Sequence, residues 1–481
     1  MQIVPSTPLA LILLIVLMIR GPYRGLAALM AATPLGVAAA FNLPAAGGAS
    51  IMVVDMGVAA AFGLMLLQPD SPARVLGSMR PFQPGFYLAM MILFAAFTAV
   101  VFPRIFAGDT QVFGIARSNN TLGIISIPLH ATTGNLTQLF RIFLDGMAFF
   151  TFATLFREWP DARPVLRAVA VAAWVNVALG WIDVLTFDLH LGAVMKLIQT
   201  ANYAILDDVA MAGMKRMIGG FSEASSFGYY TLGLFGFWLQ YRLRGGRARG
   251  SGWAFAMTTL VLLRSTSSSA YVSMLAFVLV AGGVAMARQL GRSVERRLLG
   301  TLVWGLVVLW LAALALGAAY VLLDPVQAFL NRALFDKLAT ASGVERMAWN
   351  MQALKNFTDT WMMGAGLGSM RASNWLLACL GSIGLVGTGL FLGFLATLFA
   401  LPRPDGDTER TATIEGLQGG CLAMFISAML TQPTPDLGIF FFLLAGLATG
   451  LSRGAVLESL GAAKWRIGSG IRGNGRVRPG L

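Results

Sequence analysis

Charge is what this chain has least of. Asp, Glu, Lys and Arg make up only 12% of its 481 residues, against 57% hydrophobic residues. Soluble domains carry roughly twice that charged fraction, and a mean hydropathy of +0.72 points the same way. A soluble globular fold is excluded. Cysteine is almost absent, with Cys379 and Cys421 both in apolar runs, so a disulfide framework is excluded and two packed thiols are expected. Histidine occurs twice, as His130 and His190, and no metal cluster is expected from so few strong ligands. A Walker-type glycine loop and a long soluble insertion are both missing, which argues against nucleotide-driven chemistry. Alternating segments of about ten residues, the mark of a transmembrane barrel, are missing too.

What remains is a series of apolar runs, each near the ~20 residues that cross a bilayer core of roughly 30 Å. We place spans near 7–19, 26–42, 51–67, 86–102, 137–156, 168–186, 221–240, 252–263, 270–287, 299–322, 374–400, 412–430 and 437–452. The expected fold is an all-α polytopic transmembrane helical bundle of about 12–14 spans, on the length rule. A single transmembrane domain would cover 1–452, and 453–481 would form a basic, partly disordered cytoplasmic tail. No basic stretch precedes the first run and Arg20 follows it, so it reads as a retained span and not a cleaved signal.

The net charge of +13 is explained by orientation, with no nucleic-acid partner expected. Basic residues gather in one alternate set of connections: Arg20 and Arg24, Arg74 and Arg80, Arg157 to Arg167, the stretches 242–250 and 288–297, Arg403 and Arg410, and the tail. The positive-inside rule makes that side cytoplasmic. The opposite side then holds the longer polar segments, near 103–136, 187–220 and 323–373, with a short turn RSTSSS at 264–269. Long connections in compact proteins are usually functional or disordered. The segment 323–373 is too apolar for disorder. Val326, Phe329, Leu330, Leu334 and Leu338 in its first part, and Met347, Met351 and Leu354 in its second, fall at helical spacing. Two amphipathic helices on the outer membrane face are expected.

Ionisable groups near spans are costly unless paired or facing a cavity, so they mark candidate sites. Arg141 and Asp145 stand at i, i+4 in LTQLFRIFLDG, where they either neutralise each other or face a wet cavity. In KRMIGGFSEASSFGYY, Lys215 and Arg216 precede a double glycine and Glu223 follows it. Ser222 could cap a helix with Glu223 in its first turn. Alternatively, Gly219 and Gly220 turn the chain so that Arg216 and Glu223 face one pocket. Arg264 stands at the mouth of the serine-rich turn. With Arg346 and Arg371, these cations form a rim suited to a phosphate or pyrophosphate, which arginine's planar fork binds well.

The stretch GVERMAWNMQALKNFTDTWMMGAGLGSMRASNWLLACLGSIGLVGTG, from Gly343, is similar to a family signature. Arg346 and Trp349 come first, then Gly364, Gly366 and Gly368, then Ser373 and Asn374, then Gly384 and Gly387. Together with RMIGGFSEASSFG and LLRSTSSSA, it resembles the O-antigen ligase and polysaccharide polymerase superfamily of integral membrane glycosyltransferases. The resemblance spans much of 216–390. It implies a bacterial inner-membrane enzyme active on the periplasmic face, using neither metal, cofactor nor nucleotide sugar. Its donor would be an undecaprenyl-diphosphate-linked oligosaccharide in membrane lipid, with a chain-length regulator and a flippase as further partners. By carry-over, Arg216 and Arg346 are catalytic candidates that bind the diphosphate and stabilise its departure. Glu223 is the first candidate for activating the acceptor, with Glu345 second. Lys215, Arg141, Arg264, Trp349, Arg371 and Asn374 are substrate-binding candidates. Ligase members carry a histidine where this chain has Ser373, which favours polymerase over ligase. An exporter of lipid or sugar, from a different class, stays open beside them.

Overall fold

The computed structural model describes residues 1–44, 48–118, 121–202, 204–206, 210–211, 214–290, 341–403 and 407–473, with scattered positions between 314 and 331. The span expected at 299–322 and the amphipathic stretch from Val326 to Leu338 fall largely outside these residues, as do parts of the 187–220 and 288–297 segments and the end of the tail.

The chain is a bundle of helices. In order these are α1 (Thr7–Arg24), α2 (Leu26–Ala32), α3 (Val53–Leu66), α4 (Ser71–Ser78), α5 (Pro84–Ile105), α6 (Thr133–Glu158), α7 (Ala162–Asp188), α8 (Ala224–Leu243), α9 (Ser251–Arg264) and α10 (Ser268–Leu290). They continue with α11 (Ala341–Asp359), α12 (Trp375–Phe399), α13 (Thr408–Thr431) and α14 (Ile439–Gly473). Among the described residues, eight helices are long and apolar enough to cross a membrane: α1, α5, α6, α7, α10, α12, α13 and α14. The bent pair α3–α4, turned by 114°, would make a ninth. The protein is therefore a multi-pass, all-α membrane protein. α8 and α9 stand where spans were expected, but α9 has only 14 residues and α8 is diluted by serine, glycine and tyrosine.

One expected span is corrected. Residues 26–42 do not form a single helix: α2 stops at Ala32, and strand β2 (Ala39–Leu43) begins soon after. Pro34 and Gly36 break the helical ladder between them. β2 pairs antiparallel with β1 (Gln2–Ile3) and with β3 (Ala49–Met52), Gln2 facing Asn42 and Phe41 facing Ile51. The polar segment 103–136 also gains strands, β4 (Gln111–Ser118) and β5 (Thr121–Pro128), a hairpin in register from Gln111–Pro128 to Ser118–Thr121.

Two helix pairs dominate the core, α8 against α13 and α6 against α14. Without a strong hydrophobic drive between helices in lipid, close backbone approach carries association. Along α14, Gly446, Gly450 and Gly454 repeat every fourth residue. Side chains there would meet the carbonyl oxygens of Phe149, Phe152 and Arg157 on α6 at 2.5 to 2.8 Å. Across the other pair, Gly236 lies against the Gly419 carbonyl in the same way. These stripes fix α6 and α8, the two helices that carry the candidate site.

α12 is broken at Gly384, which has φ 62° inside the helix. The break frees carbonyls that a straight helix would use internally. The Gly381 and Ser382 carbonyls instead accept from Ala365 N (2.8 Å) and Gly366 N (2.9 Å), while Leu385 N donates to the Met362 carbonyl at 3.0 Å. The glycine-rich signature is thus a strip of backbone laid into a helix break. A side chain at Gly364 would sit 2.6 Å from Gly384 N, and one at Gly366 would meet the Pro103 ring at the same distance.

Candidate functional site

The outer layer is assembled from segments far apart in sequence. α11 braces the hairpin: Gln352 Nε2 and Asn356 Nδ2 both donate to the Gln111 carbonyl, at 2.6 and 3.1 Å. Its buried side carries Ala353 and Asn356, with Thr360 buried just after its end, whereas Met347, Met351 and Leu354 are exposed. That is the orientation expected of a helix whose apolar face rests on lipid. Trp349 packs near Phe113 of β4, with ring centroids 6.1 Å apart, and the Arg371 guanidinium lies over the Trp349 ring at 5.7 Å. Cation–π contact of this kind holds an arginine in place without a carboxylate. The Asn135 side chain, buried in the first turn of α6, donates to the Leu367 carbonyl (2.7 Å) and to Ser369 Oγ (2.8 Å). The loop that presents Arg371 is therefore tied to α6 as well as to α12.

Below this layer lies a cavity of about 410 Å³, lined among others by Arg141, Glu223 and Arg371. Three candidates chosen from distant positions thus line one cavity. Arg216 and Arg346 are not among its lining residues, but Arg216 is within electrostatic range of Glu223 and of Arg346, and Glu223 also acts on Arg371. Burial lowers the pKa of the Arg216 guanidinium; Glu223 opposes that shift and Arg346 adds to it. The Arg216 Nε is buried with no hydrogen-bond partner among the described residues. An arginine still keeps its charge after such a shift, so Arg216 presents an uncompensated donor.

The double glycine aims this group. Gly219 has φ 53°, and a side chain at Gly220 would strike the Pro34 backbone. Val37 N donates to the Gly220 carbonyl at 2.9 Å, so the turn docks on the segment after α2. α8 begins at Ala224, three residues later than the expected start at 221, and Glu223 itself is the N-cap in an extended conformation. Its side chain makes no capping hydrogen bond; it accepts from Ser225 Oγ instead. The expected cap at Ser222 does not form, because that residue precedes the helix and its carbonyl accepts from Leu206 N. The Glu223 carboxylate lines the cavity.

Other candidates fall outside the cavity lining. Lys215 is buried, paired with Asp183 at 2.6 Å, and lies 4.8 Å from the Phe187 ring centroid. The other Asp183 oxygen accepts from Ile218 N (2.8 Å) and Gly219 N (3.1 Å), so this pair anchors the glycine turn. Arg264 donates to the Lys215 carbonyl at 3.0 Å. Its neighbouring hydroxyl turn is largely closed on itself: Ser265 Oγ and Tyr271 Oη donate to the Leu262 and Leu263 carbonyls. Asn374 caps α12, accepting from Leu377 N at 3.1 Å and donating to the Met429 carbonyl at 2.6 Å. All three support the site at one remove.

The sequence reading singled out Asp145 beside Arg141 but missed the two other acids of the cavity's floor. Asp55 of α3, Asp145 of α6 and Asp436, between α13 and α14, line the cavity with Arg141 and lie within range of one another. Asp145 is buried with Oδ2 unpartnered among the described residues. The Asp436 carboxylate accepts from Gly438 N at 2.5 Å. Tyr229 and Tyr230 close the wall, donating to the Leu437 carbonyl (2.9 Å) and sharing a hydrogen bond with Thr33 Oγ1 (2.6 Å). A single acid inside an apolar run was the signal that could have flagged Asp55 and Asp183. Compared with protein-family models and with curated sequences, the chain matches none.

Proposed function

We propose that this protein is a membrane glycosyltransferase of the polysaccharide polymerase type. It transfers a glycan from undecaprenyl diphosphate to the end of a second lipid-linked glycan, at the periplasmic face of a bacterial inner membrane. The observation that carries this reading is the placement of Glu223, which lines a cavity with Arg141 and Arg371 and interacts with both Arg216 and Arg371. A carboxylate beside several arginines, one of them with an open donor, suits a reaction in which a diphosphate departs as a hydroxyl attacks. The acceptor oxygen bonds to the anomeric carbon, the bond from that carbon to the phosphate oxygen breaks, and the diphosphate leaves with the electron pair. Arg216 and Arg346 offset the charge that develops on it. Glu223 accepts the acceptor's proton. The likeness of the Arg346–Asn374 segment to the O-antigen ligase and polymerase superfamily supports the same assignment, and Ser373 in place of the ligase histidine favours polymerase.

The lipid-linked glycan that accumulates in a deletion strain tests this reading. A single repeat unit on lipid is the expected outcome. Long chains left on lipid would identify a ligase instead. A second reading, an exporter of lipid or sugar, draws on the buried floor of Asp55, Asp145 and Asp436 and on the broken helix α12, both features of transporters. Normal glycan length with material retained inside the cell would favour it.

A further inference from the structure

A second cavity, of about 380 Å³, opens at the other end of α6, lined by Arg74 and Gly77 of α4, by Arg80, by Thr154, Arg157 and Glu158 of α6, and by Leu457 of α14. Asp145 and Arg157 are twelve residues apart on α6, which places the two cavities roughly 18 Å apart along the helix axis. The charge here is almost all of one sign. Glu158 is taken by Arg74, at 2.5 Å. Among the described residues, the Arg80 and Arg157 guanidinium groups have no hydrogen-bond or ion-pair partner, yet they lie close enough to repel each other. Arg453, one turn before Leu457, also repels Arg157, and its Nε is buried without a partner. The Arg157 guanidinium is laid over Gly77, where any side chain would meet Nη1 at 2.6 Å. Arg74, Arg80 and Arg157 converge on the cavity, Arg80 at its exposed edge.

The surroundings are those of a membrane interface. α4 leaves α3 at 114°, and the apolar residues Leu67, Leu76 and Phe82 near it are 82%, 67% and 80% exposed. Trp159, directly after Glu158, meets Tyr23 edge to face with centroids 5.8 Å apart, and such aromatic pairs sit at headgroup depth. We infer that this cavity binds an anionic phosphate group, supplied by a phospholipid whose acyl chains lie along the exposed apolar residues beside α4. Basic pockets between spans hold anionic headgroups in this way, and guanidinium forks match phosphate oxygens. The site is independent of the glycan chemistry proposed for the other cavity.

The test is lipid retention by the purified full chain, read by native mass spectrometry and by thermal shift, with phosphatidylglycerol, phosphatidylcholine and inorganic phosphate as separate probes. Phosphatidylglycerol is expected to be retained and to raise the melting temperature, and phosphatidylcholine to do neither. Arg80→Gln, a change at an exposed residue that leaves the helices intact, should weaken phosphatidylglycerol binding roughly fivefold, and Arg157→Gln by a similar factor, on the ordinary worth of one interfacial arginine. Arg163→Gln, a change on the same face outside the cavity, should not. Stabilisation by millimolar inorganic phosphate that Arg80→Gln abolishes would keep the site and make free phosphate its ligand. Equal retention of both lipids by the unaltered protein, or equal weakening by Arg163→Gln, overturns the inference.

Discussion

The two cavities sit toward opposite ends of α6 and treat charge in opposite ways. At the outer-layer end, the chain mixes signs: Arg141 with Asp55, Asp145 and Asp436, and Glu223 with Arg216 and Arg371. At the other end, Arg157 is repelled by both Arg80 and Arg453, with Glu158 already engaged by Arg74. A site of mixed sign can hold a charged group and also move a proton, because acceptors and cations stand side by side. A site of one sign can only hold an anion. Both are set on backbones locked by glycine stripes, so the difference comes from side chains and not from the scaffold.

Four substitutions probe that difference. The largest effect is expected from Asp183→Ala, which leaves Lys215 buried without its partner and releases the glycine turn that aims Arg216. Breaking a buried pair from one side costs about 3–5 kcal/mol, visible as a lowered thermal midpoint in detergent, whereas Glu158 can be altered with little effect. Unchanged stability would mean that the Lys215–Asp183 pair does not anchor the turn. Next, Arg216→Ala should lower polymer formation by about 10²–10³-fold with insertion intact, the usual scale for losing a donor to a developing anion. Wild-type polymer length in that variant would remove Arg216 from the diphosphate site. Glu223→Gln keeps shape and loses the acceptor; a fall of at least about 10²-fold in rate is expected, and full activity would return Glu223 to a purely structural place at the start of α8. The smallest effect belongs to Glu158→Gln. The Arg74–Glu158 pair is about one-third exposed on each side, so stability should change by less than ~1 kcal/mol. Phosphatidylglycerol retention should rise, because the arginine cavity loses its carboxylate.

Much of this was legible in the sequence, for physical reasons that also explain the failures. Long apolar runs such as those of α5, α6, α12 and α13 are read directly, because a bilayer demands length and apolarity together. The run 26–42 misled because its composition is apolar throughout while Pro34 and Gly36 decide its geometry. Arg141 and Glu223 were found by their charge beside apolar runs and Arg371 as a cation of the basic rim, and the same signal at Asp55 and Asp183 was passed over. Lys215 and Arg264 looked like rim cations because a sequence does not reveal that Asp183, from another helix, meets one and that the backbone of the first takes up the second. The glycines at 364, 366 and 368 were read as a signature; their cause is steric, since Gly364 faces the helix break at Gly384, Gly366 the Pro103 ring and Gly368 the Gly134 carbonyl.

That break has a mechanical meaning. A straight transmembrane helix closes its hydrogen bonds within itself, so the loops at its ends can move without disturbing it. α12 does not, since Ala365, Gly366 and Leu385 carry the ladder across its interruption to the strip that also presents Arg371. The strip is in effect a splint, and the helix is mended with the outer layer. Any displacement of the loop around Arg371 is therefore transmitted into the middle of a membrane span, and any tilt of the two halves of α12 is felt at the cavity mouth.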